Sequence, residues 1–206
     1  MTTIFDLAPP RRLGPWSNGM ALTPEEFDVI EDWQPGYRYE LIHGVLVVSP
    51  MPAAGERNPN DLLGHLIRLY AESEPAGSCV DDTSPEETLV TFGNRRRADR
   101  VIWIGLGRVP DPLVDVPAVV IEFVSKTRRD RKRDYIEKRA EYARLGVREY
   151  WIVDRFRRCL TVFRGETETV IVPEGQTYAP PLLPGFELPL DRLLAAADRW
   201  SEARKP

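Results

Sequence analysis

The stretch VVIEFVS, residues 119–125, decides the fold because it reads as a β-strand that is buried on both faces of a sheet. One charged residue, Glu122, interrupts this apolar run. Removing a carboxylate from water is costly unless a partner stabilises its charge. The stretch therefore predicts a central strand with a cation beside Glu122, and that cation is either a metal ion or an arginine side chain.

Further elements are predicted on both sides of this stretch. Four segments read as strands, at 87–93, 97–105, 148–154 and 158–165. A Gly-Asn turn is expected to join the first two of them. Residues 130–145 have helical periodicity, and Gly146 supplies a helix stop.

The amino-terminal part of the chain predicts a helix, a hairpin and a second helix. Thr23 is a candidate N-cap, with Pro24 at the first helical position. YRYELIHGVLVVSP (37–50) alternates and turns at Gly44, and residues 60–73 have helical spacing. The order of elements predicts an α/β fold, of the α+β mixed-sheet kind, in which helices pack on a central mixed β-sheet.

Composition limits the class of protein. The chain has 206 residues, two cysteines and two histidines, so a zinc site built from these residue types is close to excluded. No apolar run is long enough for a membrane helix, and a signal-like amino terminus is lacking, so we expect a cytoplasmic protein without a membrane partner. We predict an arm at 1–21, one domain at 22–194, and a helix end and tail at 195–206.

Two carboxylates belong to strands that we expect to be central. Asp99 lies in RADRVIWIG and Glu122 in VVIEFVS, so the two side chains can converge if these strands are neighbours. Two adjacent carboxylates repel one another, whereas a divalent cation between them reverses the sign of the interaction. Mg²⁺ suits such a site because it binds one or two carboxylates together with water and phosphate oxygens.

Several motifs together resemble one family of nucleases. The motifs are YELIHG (39–44), RADRVIWIG, VVIEFVS, EKRAEYARLGVREYWIVD (137–154) and LLPGFELPL (182–190). They are similar to those of the Uma-two family, whose members are classed as restriction endonucleases within the PD-(D/E)XK nuclease superfamily. The resemblance runs from about residue 22 to residue 194 and implies a restriction-endonuclease-like core.

The resemblance also implies roles for individual acids. Asp99 matches the aspartate of the Pro-Asp motif, although Ala98 occupies the usual proline position. Glu122 matches the acid of the second motif, and Glu40 matches the acid of the amino-terminal motif. The family's chemistry implies that Asp99 and Glu122 bind Mg²⁺ or Mn²⁺, with Glu40 as a further ligand.

The lysine of the second motif is displaced in this chain. Val124 stands two residues after Glu122, where the superfamily usually has lysine, and the resemblance implies that Lys138 on the following helix replaces it. At about 100° per residue, Lys138 lies at the edge of the face that should meet the sheet. Arg139 falls deeper in the same apolar arc and remains a rival, as does Lys126.

Basic runs flank both acidic motifs. The candidates for holding nucleic-acid backbone are Arg95, Arg96, Arg97, Arg128, Arg129, Arg131 and Lys132. The sequence thus predicts a metal-dependent endodeoxyribonuclease that hydrolyses phosphodiester bonds of DNA, expected to be duplex, and works as a homodimer. The alternative, favoured by Ala98 and Val124, is a catalytically inactive nuclease-fold protein that binds DNA or serves in assembly.

Overall fold

The computed structural model describes residues 12–73, 75–125 and 132–202. These residues divide into two compact units, which are described separately. The amino-terminal unit contains the described residues of Met1–Met51 and Phe92–Arg97, and the main unit contains those of Pro52–Thr91 and Ala98–Pro206. The domain boundaries expected at residues 22 and 194 stay a prediction.

The amino-terminal unit is built on a hairpin. Helix α1 (Pro24–Asp28) begins with the expected capping box at Thr23. Strands β1 (Tyr37–Ile42) and β2 (Val45–Pro50) pair antiparallel, and Gly44 takes a left-handed conformation at the turn, with φ of 74°. The predicted helix and hairpin are therefore both present.

The main unit contains the remaining helices and strands. Its helical segments are α2 (Ala54–Ala71), a π-helical segment (Arg133–Lys138), α3 (Arg139–Leu145) and α4 (Leu190–Glu202). Its strands are β3 (Val80–Thr91), residues 98–104 of β4 (Asn94–Ile104), β5 (Val119–Phe123), β6 (Glu149–Asp154), β7 (Cys159–Arg164), β8 (Glu168–Pro173), β9 (Thr177–Tyr178) and β10 (Leu188–Pro189). Among the described residues, no helix is long and apolar enough to cross a membrane.

The main sheet is mixed, as expected. Its strands run in the order β4, β5, β6, β7 and β8, and β3 also pairs with β4. Strands β5 and β6 pair parallel, whereas β4 with β5, β6 with β7, and β7 with β8 pair antiparallel. The parallel pair requires a crossover, and the π-helical segment and α3 belong to it. Gly146 ends α3 in the left-handed conformation, which confirms the predicted helix stop.

Strand alternation assigns each side chain of β5 to one face of the sheet. Ile121 and Phe123 belong to the core cluster that contains buried leucines of α2 and α4. Val120 and Val124 belong to the cluster that contains Tyr142 of α3. Because successive side chains in a strand point to opposite faces, Glu122 lies on the face that α3 covers.

Two details differ from the sequence-based expectation. The turn between β3 and β4 contains Phe92 and Gly93, because Asn94 already belongs to β4. Strand β8 was not predicted from the sequence. It is an edge strand whose residues are mostly exposed, so its pairing with β7 defines it and a buried apolar pattern does not.

Candidate active site

Asp99 and Glu122 lie on neighbouring antiparallel strands. Arg100 pairs with Ile121 in the register of β4 and β5, so one further step of that register puts Asp99 opposite Glu122. Asp99 shares a face with Val101, two residues along β4, and Val101 belongs to the same core cluster as Val120. The two acids predicted from the sequence therefore lie on the same face of adjacent strands.

Hydrogen bonds hold both the side chain and the backbone of Asp99. Its Oδ2 atom accepts a hydrogen bond of 2.6 Å from the Phe123 backbone N–H, and its carbonyl accepts one of 2.8 Å from Asn60 Nδ2 on α2. Asn60 Oδ1 in turn accepts from Arg100 Nε at 2.6 Å. Burial lowers the pKa of Arg100 to about 10. Asp99 is only 4% exposed, so these contacts fix a carboxylate that has left bulk water.

Glu122 has a buried lysine as its nearest cation. Lys138 Nζ donates to Glu122 Oε1 at 2.7 Å, and both residues are almost fully buried, at 1% and 2% exposure. The Tyr142 hydroxyl is a longer neighbour, 3.5 Å from the same oxygen. The sequence predicted a metal ion or an arginine as the partner of Glu122. The partner that the protein itself supplies is a lysine. The structure also brings together three of the predicted site residues, Asp99, Glu122 and Lys138.

A π-helical segment places Lys138 against the sheet. Residues Arg133–Lys138 form a π-helical segment that continues directly into α3. Such segments widen one turn and change which side chains face inward. Asp134 is buried in the same turn, with Oδ1 3.9 Å from Lys138 Nζ, and its carbonyl accepts a hydrogen bond of 3.0 Å from the Tyr150 hydroxyl. Lys138 therefore lies between two buried carboxylates.

The buried charges shift the pKa of Glu122 upward. Burial is the main cause of this raised pKa, and the nearby negative charges of Asp99 and Asp134 add to it, while Lys138 opposes it. Burial also raises the pKa of Tyr150 well above its usual value, with Glu122 as the largest charge contribution. A further positive charge beside this carboxyl group would favour its ionised form.

Sequence reasoning gave Asp134 too little weight. Asp134 is not among the residues predicted for the site, because an Asp-Lys pair at i,i+4 spacing is typical of an exposed ion pair. The spacing itself was a signal, since residues four apart lie on the same face of a helix and Lys138 was expected to face the sheet. It does not distinguish a buried pair from an exposed one.

The rivals of Lys138 lie elsewhere or outside the described residues. The Arg139 guanidinium stacks 4.1 Å above the Phe163 ring and donates to the Glu166 carbonyl at 2.9 Å. Since Arg139 contacts these groups, it is not the cation beside Glu122. Lys126 lies outside the described residues.

Glu40 belongs to the amino-terminal unit. It is 4% exposed, and its Oε1 atom accepts a hydrogen bond of 3.1 Å from the Arg97 backbone N–H. In that unit the Arg95 guanidinium makes a bidentate ion pair with Asp28, and Arg96 is fully buried. Arg95 and Arg96 are thus used inside the protein, and we leave them out of the residues proposed to contact nucleic acid.

Two of the other basic candidates lie within the described residues and three do not. Arg97 is half-buried and Lys132 is exposed. Arg128, Arg129 and Arg131 lie outside the described residues. The surface predicted to hold nucleic-acid backbone is therefore described only in part.

The acids fit a hard cation better than a soft one. Within residues 12–73, 75–125 and 132–202, no three His, Cys, Asp or Glu side chains form a ready-made metal cluster. Asp99 and Glu122 supply carboxylate oxygens only, from opposite positions of one strand pair. Mg²⁺ typically takes one or two carboxylates and completes its shell with water or phosphate oxygens. The donor set is consistent with that ion.

Comparison with protein families supports the resemblance seen in the motifs. The family model Uma2, whose description reads "Putative restriction endonuclease", matches residues 24–191. The chain belongs to the Uma2 family. This membership confirms the resemblance to the Uma-two family and supports a nuclease. Asp99, Glu122 and Lys138 all lie within the matched part of this Uma2 chain.

A solved structure supports the fold of this Uma2 chain. A crystal structure titled as that of "a putative nuclease" from Anabaena variabilis ATCC 29413 is similar to it, with a TM-score of 0.69 and 16% sequence identity. The match covers 85% of this chain and 99% of that chain. It confirms the mixed α/β fold. No protein with curated function matches the chain.

Proposed function

We propose that this Uma2 protein is a metal-dependent endodeoxyribonuclease that hydrolyses phosphodiester bonds of duplex DNA. One observation carries the proposal: Lys138 reaches Glu122 at 2.7 Å, on the face of the sheet where Asp99 lies opposite Glu122. Two acids and a lysine on this face are the residue types that the nuclease motif requires. The lysine missing at Val124 is thus replaced from the following helix.

The acids would hold the cation. We assign Mg²⁺ or Mn²⁺ to Asp99 and Glu122, with the backbone carbonyl after Glu122 as an additional oxygen ligand. When bound, the ion polarises the scissile phosphate and lowers the pKa of an attacking water. Glu40 as a further ligand stays a prediction that rests on the family's amino-terminal motif.

Lys138 would act on the reacting groups. Its ammonium is fixed by Glu122 and lies close to Asp134, so its charge is positioned before substrate binds. Charge that is positioned in advance in a dry site stabilises developing negative charge more effectively than charge in water. We therefore assign Lys138 to orient the attacking water or to stabilise the charge that develops on the phosphate.

The surroundings would hold the DNA backbone. Arg97, Arg128, Arg129, Arg131 and Lys132 remain the proposed contacts, because cations bind phosphates without reading sequence. Cytoplasmic location and a homodimer are also part of the proposal. The homodimer is proposed because cutting both strands of a duplex often uses two sites.

Plasmid nicking tests the proposal. Supercoiled DNA incubated with wild-type protein and Mg²⁺ or Mn²⁺ should become nicked, and chelator should stop the reaction. Asp99→Asn is the informative variant, since the amide oxygen can still accept the Phe123 N–H while the charge is lost. It should fold normally and fail to nick.

A different result would favour the second candidate. Ala98 and Val124 depart from the usual motif. Tight duplex binding by wild type without nicking in either metal would therefore reject the enzyme and support an inactive nuclease-fold protein that binds DNA or serves in assembly. Nicking of equal rate by wild type and Asp99→Asn would instead place the chemistry at another site.

A further inference from the structure

A cleft lies between α2 and α4 in the main unit, apart from the residues assigned to catalysis. Its volume is about 630 Å³. Its walls are formed by Asn58 and Leu62 of α2 and by Arg192, Ala195, Ala196, Arg199 and Trp200 of α4. Small alanines between two arginines leave room for a ligand along the helix.

The arginines of this cleft are available to a ligand. Arg192 and Arg199 are exposed, and two helical turns place them about 10 Å apart along α4. Within the described part of the chain, neither makes an ion pair or a hydrogen bond. The acids beside them are engaged: Asp191 accepts from the Gly175 N–H at 2.6 Å, and Asp198 pairs with Arg158 at 2.7 Å. The cleft therefore carries uncompensated positive charge.

Trp200 gives the cleft an aromatic edge. It is 46% exposed, whereas Trp103 and Trp151 of the sheet are 2% and 0% exposed. The leucines of the same helix are buried, so α4 presents Trp200 on its exposed side together with the two arginines. Arginines that track a phosphate backbone, combined with an aromatic ring on which a base stacks, are the usual chemistry of single-strand binding grooves.

Helix α2 connects the cleft to the candidate active site. Asn58 lines the cleft, and Asn60, two residues later, donates to the Asp99 carbonyl at 2.8 Å. The side chains of these two asparagines do not face each other, because residues two apart on a helix point in different directions. A strand bound in the cleft would lie against the helix that supports Asp99, on the other side of the sheet from the face that α3 covers.

We propose that the cleft between α2 and α4 binds a single-stranded segment of nucleic acid, with phosphates on Arg192 and Arg199 and a base stacked on Trp200. The inference rests on the proposed nuclease function only for the choice of nucleic acid as the ligand. It adds a second contact surface, one that would hold a strand outside the reacting phosphodiester.

Fluorescence anisotropy with a labelled oligothymidylate tests the inference directly. The titration is done in chelator, so that binding is measured without cleavage. Trp200→Leu should weaken binding about tenfold or more, and Trp200→Phe should restore most of it, because stacking needs a ring. Arg192→Gln combined with Arg199→Gln should weaken binding and lower the salt slope by about 1.4, since each lost phosphate contact on a single strand contributes about 0.7.

A charge-matched double variant serves as the control. Arg12→Gln with Arg148→Gln removes two exposed arginines outside the cleft: Arg12 pairs with Asp32 at 3.3 Å, and Arg148 donates to the Ile104 carbonyl at 3.2 Å. This control should bind the oligonucleotide like wild type. Equal weakening in the control and in the cleft variant would overturn the inference, because net charge alone would then explain the binding.

Other outcomes separate this inference from the proposed function. Oligonucleotide binding that depends on Trp200 in a protein that never nicks DNA would support the cleft and reject the nuclease. Nicking with oligonucleotide binding unchanged in both cleft variants would reject the cleft alone. If wild type sediments as a dimer that Trp200→Leu dissociates, and the oligonucleotide does not bind, the occupant is a second copy of the chain and the inference fails.

Discussion

Two glutamates on neighbouring strands of the main sheet are equally buried and differ in their surroundings. Glu122 on β5 and Glu149 on β6 are each 2% exposed. Glu149 accepts three hydrogen bonds, from Trp151 Nε1 at 2.8 Å, the Tyr178 hydroxyl at 3.0 Å and Arg164 Nε at 2.8 Å. These donors satisfy both of its oxygens, so Glu149 is a structural acid.

Glu122 is placed among other acids. Among the described residues, its one short contact is with Lys138. Burial is the main cause of its raised pKa, and the charges of Asp99 and Asp134 raise it further. Burial alone therefore does not distinguish a carboxylate whose oxygens are satisfied by the protein from the one that we propose as a metal ligand. The two acids differ in the groups that surround their carboxylate oxygens. Hydrogen-bond donors of the protein surround Glu149, whereas further negative charges lie near Glu122.

The largest expected effect is the loss of nicking in Glu122→Gln. We expect about a thousandfold lower rate, because the amide is a poor ligand for the cation that would stabilise the transition state. Stability in chelator should change by only about 1 kcal/mol, since Asp134 still accompanies Lys138 and the side-chain shape is kept. Thermal unfolding and plasmid nicking measure the two quantities. A large fall in stability would place Glu122 in the same class as Glu149.

Glu149→Gln should have the opposite profile. Breaking this buried pair should lower the free energy of unfolding by about 3 kcal/mol, the low end of the range, because Arg164 keeps its contact with Glu168. Denaturant unfolding gives the stability, and nicking per folded molecule at low temperature should equal that of wild type. Loss of nicking in a fully folded Glu149→Gln protein would contradict the distinction between the two acids.

Lys138→Ala tests the role of the lysine that contacts Glu122. We expect about a hundredfold slower nicking with nearly unchanged metal affinity, because Lys138 is assigned to stabilise the transition state and not to bind the ion. Arg139→Ala is the matched control, since Arg139 stacks on Phe163 away from Glu122. Single-turnover rates and metal titration separate the two effects. Wild-type rates in Lys138→Ala, with slow rates in Arg139→Ala, would reverse the assignment.

The sequence could predict much of the frame of this site. The apolar run around Glu122 predicted a central strand, and the hydrophobic pattern around Asp99 predicted a second strand. The register that makes the two acids face each other is set by tertiary packing, which local patterns do not encode. For the same reason the sequence could show that Lys138 faces the sheet but not that a π-helical turn would bury Asp134 beside it.

The partner of Glu122 shows a second limit of sequence reasoning. An arginine was the expected protein partner, because arginine is abundant in this chain and suits buried ion pairs. The structure places a lysine there. Position decides the choice: Lys138 ends the π-helical segment that continues into α3, and α3 covers the face bearing Glu122, so the ammonium reaches the carboxylate at 2.7 Å. Composition gives the abundance of arginine but not this geometry.

The smallest expected effect concerns stability and pH. Burial raises the folded-state pKa of Glu122 above its ordinary value of 4.5. The folded protein therefore binds this proton more tightly than the unfolded chain, and the free energy of unfolding should decrease as pH rises from 4.5 through the raised folded pKa. Other groups also titrate in this window, so the informative quantity is the difference between wild type and Glu122→Gln, both unfolded with denaturant in chelator.

Wild type should lose stability relative to Glu122→Gln as the pH approaches neutrality, because only wild type must ionise a buried carboxyl. Added Mg²⁺ should reverse this relative loss in wild type, since the ion favours the ionised form, and should leave Glu122→Gln unchanged. Glu149→Gln keeps Glu122 and should therefore show the wild-type trend. Parallel pH curves for wild type and Glu122→Gln would mean that Lys138 alone compensates the charge of Glu122, and the two buried glutamates would then be structural acids of one kind.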